Sequence, residues 1–561
     1  MFAANPLITE KMKHEHKLLL EEKVTHSYPH CWRCKKPIIF RATEQWFLGV
    51  DIQNLRQRML DEIKNVTWVP AYGRNRIEGM VEVRPDWCLS RQRYWGVPIP
   101  VLYCLECNEP LLDDKVIERV AAMVSSQGSD SWYEKSIEDI LGHLKVSCPK
   151  CGGSKFKKEE DILDVWFDSG VSHEAVLASG NFEGLSWPAD IYLEGSDQHR
   201  GWFQTSLIPA TALRGRAPYK SVLTHGFVVD GEGKKMSKSL GNVIAPQKVI
   251  DQYGAEILRL WVATSDYRED IRISQEILNG LIDTYRKIRN TLRFLLGNLS
   301  EYSPAKDNVP YGEMREIDRH ALGILQELVE TCTNAFDKYE FHKAAAAINK
   351  FCTVELSGFY LDALKDTLYC DGKTWKSRRS AQTALWQICS ALVRVLSPIL
   401  SFTSEEVWQE MRNIDPGLEE SVFLTELPKT DKKLVFNEEM RDKWSNLMDL
   451  RDKSMLELEG LRKEKVIGSN LEACLEVLHD KTDVGIVADK EMLSSVLGTW
   501  DIKFIPQSDP GNLPPETQVF QKGKSGYTKC ERCWRYIEDV KMSDKYGGNL
   551  CPRCCKTLDE R

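Results

Sequence analysis

The chain has 561 residues, of which 28% are charged and 42% hydrophobic, with a formal net charge of −8 at pH 7. This length predicts three or four domains of about 150 residues, and the composition is ordinary for a globular protein. No stretch approaches the roughly 18 consecutive apolar residues of a membrane span, and the first residues lack a secretion or transit signature. These features argue against a membrane protein and make a cytosolic location the default expectation.

The negative net charge excludes a uniformly basic surface, so a nucleic-acid partner would need local basic patches. The C-terminal residues 520–561 form one such patch, with ten Lys or Arg residues against six Asp or Glu residues. A nucleic-acid contact is therefore expected at this end of the chain rather than over the whole surface.

In chain order, residues 161–245 first show short apolar runs bounded by Gly and Asp. Such runs are typical of buried strands in a parallel α/β sheet, and the helix between them is expected to begin near Gln198. From about residue 247 the apolar residues recur at intervals of three and four residues, as in Ile282, Tyr285, Ile288 and Leu292. This period predicts a bundle of amphipathic helices over about 170 residues. The predicted class is multidomain, α/β followed by all-α.

Ten of the 17 cysteines occur in five C-x-x-C pairs. In a cytosolic chain this spacing indicates zinc ligation rather than disulfides. The last two pairs, Cys530 with Cys533 and Cys551 with Cys554, are separated by 17 residues, as in a zinc ribbon. A segment of about 40 residues could hardly fold without the metal. Cys555 is an alternative to Cys554 as the fourth ligand.

A second metal site is predicted from two pairs with 40 residues between them, which would make an inserted zinc knuckle over residues 102–160. Its ligands would be Cys104, Cys107, Cys148 and Cys151. The fifth pair, Cys31 and Cys34, has no partner pair nearby, so either it stays a bare pair or its other ligands are absent. A redox role is the remaining alternative, but no thioredoxin-like βαβ pattern surrounds it. The other seven cysteines are expected to pack in cores, mostly among apolar neighbours.

The segment GEGKKMSKS (231–239) places three lysines and two serines after a β-branched run. Lysine is a compact charge on a flexible stem and suits the moving charge of a triphosphate. Alone, such a cluster is more often a solvated turn. Its serines, Ser237 and Ser239, could donate hydrogen bonds or cap the helix that follows at residue 245.

About 40 residues upstream, EGSDQHRGWF (194–203) follows an apolar run. Ligands collect at the carboxyl ends of strands in parallel sheets, so Glu194, Asp197 and Gln198 could bind ribose hydroxyls and an ammonium group. His199 is expected to be a structural donor rather than a base. Trp166 and Trp202 could shape a small apolar pocket, with plain core packing as the alternative.

Several long motifs together resemble the class I aminoacyl-tRNA synthetases of the isoleucine, valine and leucine group, and the bacterial-type isoleucine enzymes in particular. The resemblance covers essentially the whole chain and rests on these segments: KMSKS, SRQRYWGVPIP (90–100), DVWFDSG (164–170), EGSDQHRGWF, residues 28–47, RKEKVIGSNLEA (462–473) and the terminal four-cysteine ribbon.

The resemblance implies ATP-dependent activation of isoleucine and transfer of the isoleucyl group to tRNA(Ile), with Mg²⁺ accompanying ATP and one or two structural zinc ions. Lys235 and Lys238 would stabilise the phosphate charge. The adenylate would contact a set of residues from both motifs: Glu194, Gly195, Asp197, Gln198, Ser237 and Lys238. Trp166 and Trp202 would shape the isoleucine pocket.

The resemblance also implies domain boundaries. Residues 1–40 would end a connective or editing insertion, and residues 41–245 would form the second half of a Rossmann-type catalytic domain. A stem-contact and anticodon-binding bundle over 246–430, a C-terminal junction over 431–510 and a zinc ribbon over 520–561 would follow.

One departure from the family is the absence of the His-Ile-Gly-His signature and of the editing segments. The chain is therefore expected to be the C-terminal portion of a longer enzyme that is a monomer when complete and needs its N-terminal half for activity. Two alternatives remain at this stage. They are a non-catalytic tRNA-binding module and a valine-specific synthetase, and the terminal ribbon argues against the latter.

Overall fold

The computed structural model describes residues 4–31, 34–40, 42–237, 240–479, 490–499, 501–506, 518–520 and 527–560. These residues form two compact units, Met1–Thr224 and His225–Arg561, which are described separately. None of the helices in the described ranges is long and apolar enough to cross a membrane.

The first unit mixes short strands with helices. Its helices are α1 (Ala4–His14), α2 (Leu55–Asn65), α3 (Tyr72–Glu82), α4 (Asp114–Gln127), α5 (Ser131–Glu134), α6 (Ile137–Leu141), α7 (Val165–Gly170) and α8 (Trp202–Arg214). Its strands are β1 (Phe47–Leu48), β2 (Thr67–Val69), β3 (Trp87–Cys88), β4 (Ser90–Arg91), β5 (Leu102–Cys104), β6 (Pro110–Leu111), β7 (Phe156–Lys158), β8 (Ile162–Leu163), β9 (Ala189–Gly195) and β10 (Tyr219–His225).

The main sheet of the first unit has the strand order β2-β10-β9, and β2 and β10 run parallel. Apolar side chains of α2, α3 and α8 form one core with these strands, which includes Met59, Ile77, Phe203 and Val222. A separate core lies between β5, β6, β7 and helices α4 to α6. The predicted α/β sheet and the predicted inserted knuckle therefore each have their own hydrophobic core.

The start of α8 differs from the sequence expectation. A 3₁₀ turn covers Ser196–His199, and the α-helix begins only at Trp202. Gly201 interrupts the helix with φ −112° and ψ −122°, and the Gln198 side chain accepts a hydrogen bond of 2.9 Å from the Trp202 N–H. The helix ends at Gly215, whose φ of +69° favours glycine.

The second unit is mostly helical. Its helices are α9 (Pro246–Tyr253), α10 (Ala255–Thr264), α11 (Gln275–Gly297), α12 (Pro304–Asp307), α13 (Glu316–Asp337), α14 (Phe341–Lys350), α15 (Leu361–Ala363), α16 (Lys365–Cys370), α17 (Lys376–Leu396), α18 (Ser401–Ile414), α19 (Glu438–Lys463), α20 (Lys490–Leu497) and α21 (Pro552–Asp559). Its strands are β11 (Val228–Val229), β12 (Ile271–Arg272), β13 (Cys474–His479), β14 (Asp501–Pro506), β15 (Gln518–Phe520), β16 (Thr528–Lys529), β17 (Tyr536–Ile537), β18 (Lys541–Ser543) and β19 (Gly548–Leu550).

The helical bundle predicted over residues 246–430 is confirmed in helices α10 to α18, and α19 packs on the same core beyond the predicted boundary. Ile288, Leu292 and Leu295 of α11 are buried, as their spacing predicts. Local signals also set helix starts, since Ser274 caps α11 and Asn437 caps α19 through their side-chain oxygens. Cys332, Cys352 and Cys389 are buried in the bundle core, which confirms core packing for these three thiols.

A fully buried carboxylate, Asp318 on α13, organises the bundle. It accepts two hydrogen bonds from the Arg315 guanidinium, at 2.9 and 3.0 Å. It also accepts hydrogen bonds from the hydroxyls of Tyr360, at 2.8 Å, and Ser380, at 2.6 Å. Because a buried charge is tolerated only when it is paired and hydrogen-bonded, these contacts fix α13 against its neighbours.

Replacing this carboxylate tests its role. Asp318→Asn keeps the side-chain shape but leaves the Arg315 charge without its partner, so we expect a loss of about 3–5 kcal/mol of stability. Tyr360→Phe removes one hydrogen bond and should cost only about 1 kcal/mol. Urea unfolding followed by far-UV circular dichroism measures both, and equal shifts for the two variants would contradict the assignment.

A second prediction concerns His320, which stacks on Trp444 with ring centroids 3.7 Å apart. Burial lowers the pKa of His320 to about 3, whereas an unfolded histidine titrates near 6.5. Below pH of about 6.5 only the unfolded chain takes up this proton, so stability falls as the pH falls towards 3, by up to about 1.4 kcal/mol per pH unit. His320→Phe should remove this component of the slope. Identical pH profiles of the unfolding midpoint in parent and variant would rule it out.

Candidate active-site elements and metal centres

The lysine-rich loop of the second unit has a rigid base. The Asp230 carboxylate accepts hydrogen bonds from the backbone N–H groups of Glu232, at 3.0 Å, and Lys234, at 2.8 Å. It also accepts a 2.8 Å hydrogen bond from the Asn242 side chain. Together these hydrogen bonds lower the pKa of Asp230, and the bond from Asn242 has the largest effect. Gly233 closes the turn at φ +83°, a region that favours glycine.

Asn242 and Met236 hold the other side of this loop. The Asn242 side chain accepts a 2.9 Å hydrogen bond from the Ser237 N–H and donates to the carbonyl of Lys235. Met236 packs against the apolar cluster of Val249, Ile257 and Trp261. Asp230 and Asn242 were not singled out from the sequence, although an Asp before Gly-x-Gly is a common turn signal.

The two described lysines of the loop differ in their partners. The Lys234 ammonium lies 2.7 Å from the carboxylate of Glu232. The Lys235 side chain is exposed, and within the described residues it makes no ion pair. Lys238 and Ser239 lie outside the described residues. A fixed backbone that presents an unpaired ammonium to solvent suits the binding of an anionic ligand.

Ser237 was expected either to donate hydrogen bonds or to cap the next helix, and the structure does not show the cap. Its hydroxyl accepts a 3.3 Å hydrogen bond from the Leu240 N–H. The residue before α9 is Ala245, which has no side-chain cap, and Pro246 occupies the first helical position. Proline stabilises that position because its fixed φ is helical and no N–H is left unpaired.

In the first unit, the predicted polar residues lie at the carboxyl end of β9. Glu194 and Asp197 are exposed, whereas Gly195 is buried. Glu194 accepts a 3.1 Å hydrogen bond from the Gly195 N–H, and Asp197 accepts one of 3.1 Å from the Gln198 side chain. The structure therefore brings together this part of the predicted set.

Trp166 and Trp202 lie close to the same strand end. A Cβ on Gly201 would lie 2.4 Å from the Gln198 side-chain oxygen and 3.0 Å from the Trp166 ring, so a larger residue would force these side chains to shift. Trp166 is 42% exposed, which excludes plain core packing for its ring. Trp202 stacks on Tyr192 at 4.0 Å and donates a 3.0 Å hydrogen bond to the Ser169 carbonyl. The Trp202 ring packs against the core of this unit, as the core-packing alternative predicted, and the sequence did not indicate the stacking role of Tyr192.

His199 is fully buried beneath this strand end. Its Nδ1 lies 3.0 Å from the Ser196 carbonyl oxygen, which fixes Nδ1 as the protonated donor of a neutral ring. Burial lowers the pKa of His199. The geometry agrees with the predicted role as a structural donor.

The two predicted metal clusters are both assembled. In each, the four sulfur atoms lie within 4.8 Å of one another. Measured S···S distances are 3.5 Å for Cys104 and Cys151 and 3.9 Å for Cys533 and Cys551. A tetrahedral zinc with Zn–S bonds of about 2.3 Å requires S···S distances of about 3.8 Å. The sites therefore fit zinc.

Hydrogen bonds also shift the pKa of single thiols in each cluster. Hydrogen bonds from the backbone N–H groups of Cys151 and Lys150 lower the pKa of Cys148 to about 7. Hydrogen bonds from the thiols of Cys533 and Cys554 lower the pKa of Cys551. In the same clusters the pKa of Cys107, Cys151 and Cys554 is raised, so each cluster holds thiol protons that a bound metal would displace.

The remaining cysteine predictions have different outcomes. Cys555 lies beside the ribbon cluster but is not one of its four members, which are fully assembled with Cys554. Cys31 and Cys34 occur in no group of three or more metal-ligating side chains within the described part of the chain. Cys370 is buried, but against the ribbon cysteines rather than in the bundle core.

Family models match three parts of the chain. Residues 9–274 match the class I tRNA synthetases (I, L, M and V), and residues 318–478 match the anticodon-binding domain of tRNA ligase. Residues 529–556 match a zinc finger found in FPG and IleRS. These matches confirm the predicted fold class.

Curated relatives match the chain from end to end. It is 47% identical to the isoleucine–tRNA ligase of Petrotoga mobilis and 48% identical to those of Syntrophotalea carbinolica and Geobacter sulfurreducens. Each match covers all of this chain and 60% of the relative, so the chain spans about three fifths of the length of these proteins.

Two solved structures also match part of the chain. One is the ternary complex of Agrobacterium radiobacter K84 agnB2 LeuRS with tRNA and LeuAMS, with a TM-score of 0.47, 20% identity and coverage of 73% of this chain and 49% of that one. The other is Mycobacterium tuberculosis methionyl-tRNA synthetase with methionyl-adenylate, with a TM-score of 0.47, 15% identity and coverage of 71% and 72%. The chain is thus similar to the class I tRNA synthetases over residues 9–274 and to proteins named isoleucine–tRNA ligase over its whole length.

Proposed function

We propose that this chain is the C-terminal portion of an isoleucine–tRNA ligase, which activates L-isoleucine with ATP and Mg²⁺ and esterifies tRNA(Ile) in the cytoplasm. The observation that carries the proposal is 46–48% identity over essentially the whole chain to proteins named isoleucine–tRNA ligase. In this proposal the N-terminal half of the enzyme is a required partner, and the complete enzyme acts as a monomer.

The proposed domains follow the sequence-based boundaries. Residues 1–40 end an insertion, 41–245 belong to the catalytic domain, 246–430 contact the acceptor stem and anticodon arm, and 431–510 form the junction to the ribbon. The anticodon-domain match over residues 318–478 supports the role of the bundle. The terminal ribbon over 520–561 would add contacts to tRNA.

In the first step, a carboxylate oxygen of isoleucine attacks the α-phosphorus of ATP, and the bond to the leaving pyrophosphate breaks. Lys235 and Lys238 would stabilise the charge that builds on the phosphates. Support comes from Lys235, which is exposed and makes no ion pair with any residue that the structure describes, on a loop base held by Asp230 and Asn242. Ser237 would add a hydrogen bond to the phosphates.

Glu194, Gly195, Asp197 and Gln198 would hold the ribose and the ammonium group of the adenylate. Carboxylates at the end of a strand suit both groups, because they accept hydrogen bonds from hydroxyls and pair with a cation. Trp166 and Trp202 would line the side-chain pocket. Stacking on Tyr192 keeps the Trp202 ring in one orientation, which a pocket for a small aliphatic side chain needs.

In the second step, the terminal ribose hydroxyl of the tRNA attacks the carbonyl carbon of the adenylate. The ester bond forms, AMP leaves and the hydroxyl loses its proton. An apolar pocket can distinguish isoleucine from valine only by one methylene group, which changes the binding free energy by about 1–3 kcal/mol. Discrimination in the complete enzyme would therefore require an editing step.

The test is isoleucine-dependent exchange between ATP and pyrophosphate. It is measured with the chain alone and with an added N-terminal half, taken from a relative that carries the missing signature. Activity only after addition supports the proposal, and valine-dependent exchange of higher kcat/KM would point to a valine enzyme. If neither sample shows exchange but the chain still binds tRNA, the result would favour a non-catalytic tRNA-binding module.

The lysine assignment has a matched control in the same loop. In the complemented enzyme, Lys235→Ala should lower kcat of the exchange by about 10²–10³, the usual cost of one electrostatic donor to a transition state. Lys234→Ala should change kcat less than about twofold, because Lys234 is already paired with the exposed Glu232. Equal losses in both variants would remove Lys235 from its proposed role.

The zinc assignment predicts about two zinc ions per chain, one for each four-cysteine cluster. Cys551→Ser and Cys107→Ser should each remove one ion, measured by atomic absorption of the purified chain. Cys555→Ser should leave both ions in place. Loss of an ion in this control would make Cys555 a ligand in place of Cys554.

A further inference from the structure

The terminal ribbon, defined here as residues 527–560, packs on helix α16 of the bundle through three arginines. Arg553 makes a bidentate contact to Asp366 at 2.6 and 2.7 Å and also reaches Asp371 at 3.2 Å. Arg535 lies 2.9 Å from the same Asp366 carboxylate. Arg532 donates to the carbonyl oxygens of Cys370, at 2.7 Å, and Tyr369, at 3.2 Å.

Additional contacts surround these arginines. The Thr557 hydroxyl donates a 3.1 Å hydrogen bond to the Cys370 carbonyl. The Trp375 ring N–H donates to Glu560 at 2.7 Å, and the Lys556 ammonium lies 5.2 Å from the centre of the Trp375 ring. The end of α16 therefore receives contacts from both knuckles of the ribbon and from α21.

Two of the three arginines are located inside the metal-binding motifs. Arg532 lies between Cys530 and Cys533, and Arg553 lies between Cys551 and Cys554. The Arg532 guanidinium also lies 3.4 Å from the Cys554 sulfur. A metal bound by both pairs fixes the two tight turns, and the direction of each arginine depends on the turn that carries it.

The accessibility of the Cys370 thiol depends on this contact between the ribbon and α16. Its side chain is 8% exposed and belongs to the same apolar cluster as Cys530, Cys533, Cys551 and Cys554. The bundle core has other buried thiols, namely Cys332, Cys352 and Cys389. The ribbon therefore supplies the cover over Cys370, whereas the bundle itself covers the other three.

We infer that metal binding by the four ribbon cysteines fixes Arg532 and Arg553 in position to dock the ribbon on α16, so that the ribbon is a metal-dependent clamp on the bundle. The inference rests on the proposed zinc occupancy of the ribbon. It also redefines the basic patch predicted over residues 520–561, because Arg532, Arg535 and Arg553 bind the bundle and are not available to an external nucleic acid.

The experiment follows the accessibility of individual thiols in the intact chain. The protein is treated with a chelator, zinc release is measured, and alkylated cysteines are identified by peptide mass spectrometry. Removal of zinc should accelerate alkylation of Cys370 by at least about tenfold, since local opening exposes a group in proportion to the open population. Cys332, Cys352 and Cys389 should stay protected. If Cys370 remains as protected as Cys332 after zinc removal, the clamp is refuted.

A charge variant separates the clamp from simple unfolding of the ribbon. Asp366→Asn removes the negative charge that Arg535 and Arg553 share and one of the two acceptor oxygens, so it should speed alkylation of Cys370 by about tenfold or more with zinc present. Asp362→Asn is the matched control, because Asp362 is half-exposed and pairs only with Lys365 among the described residues. Unchanged helical circular dichroism shows that the bundle stays folded.

Each result has a distinct meaning. Faster labelling of Cys370 in Asp366→Asn with zinc retained supports the clamp. Loss of zinc from that variant also supports it, because coupling between docking and metal binding must be reciprocal. Equal labelling of both variants and the parent refutes it. A purified chain without zinc at the ribbon would instead overturn the zinc assignment, independently of the exchange activity.

Discussion

The second unit depends on one buried charge, the carboxylate of Asp318. Its hydrogen bonds to Arg315, Tyr360 and Ser380 connect three separate helical segments of the bundle. Arg315 continues the connection, because its guanidinium also donates to Thr367 on α16 at 2.8 Å. The adjacent residue, Asp366, receives the ribbon. A buried carboxylate leaves little freedom to its neighbours, so it fixes the surface on which the ribbon is docked.

In the two basic segments of this unit, the contacts within the chain determine whether a lysine or arginine is available to bind a ligand. In the loop over 231–239, Asp230 accepts backbone N–H groups rather than lysine ammoniums, and Lys235 is left in solvent. In the ribbon, Arg532 and Arg553 are directed into contacts with the bundle. The positive charge of each segment alone would predict that both segments bind anions. The contacts instead favour the loop for a phosphate ligand and assign much of the ribbon charge to internal structure.

The candidate site at the end of β9 depends on close approach of backbone and rings. Gly201 admits both the Gln198 side chain and the Trp166 ring, and any larger residue would displace them. Gln198 is among the residues expected to bind ribose hydroxyls and an ammonium group, and in the structure its side-chain oxygen accepts the Trp202 N–H at the start of α8. Its N–H group is directed to Asp197. The side chain is therefore an organiser of the site, held between the helix start and a neighbouring carboxylate.

The sequence by itself determined the features that depend on local spacing. C-x-x-C pairs predicted both metal clusters, the apolar period predicted the bundle, and long motifs indicated the family. Only the tertiary structure decided the outcome where a partner is remote in the chain. Examples are Arg553 with Asp366, 187 residues apart, and the burial of Cys370 by the ribbon. A periodic pattern reports which face of an element is apolar, but it does not identify what that face contacts, because such contacts follow from packing of the whole chain.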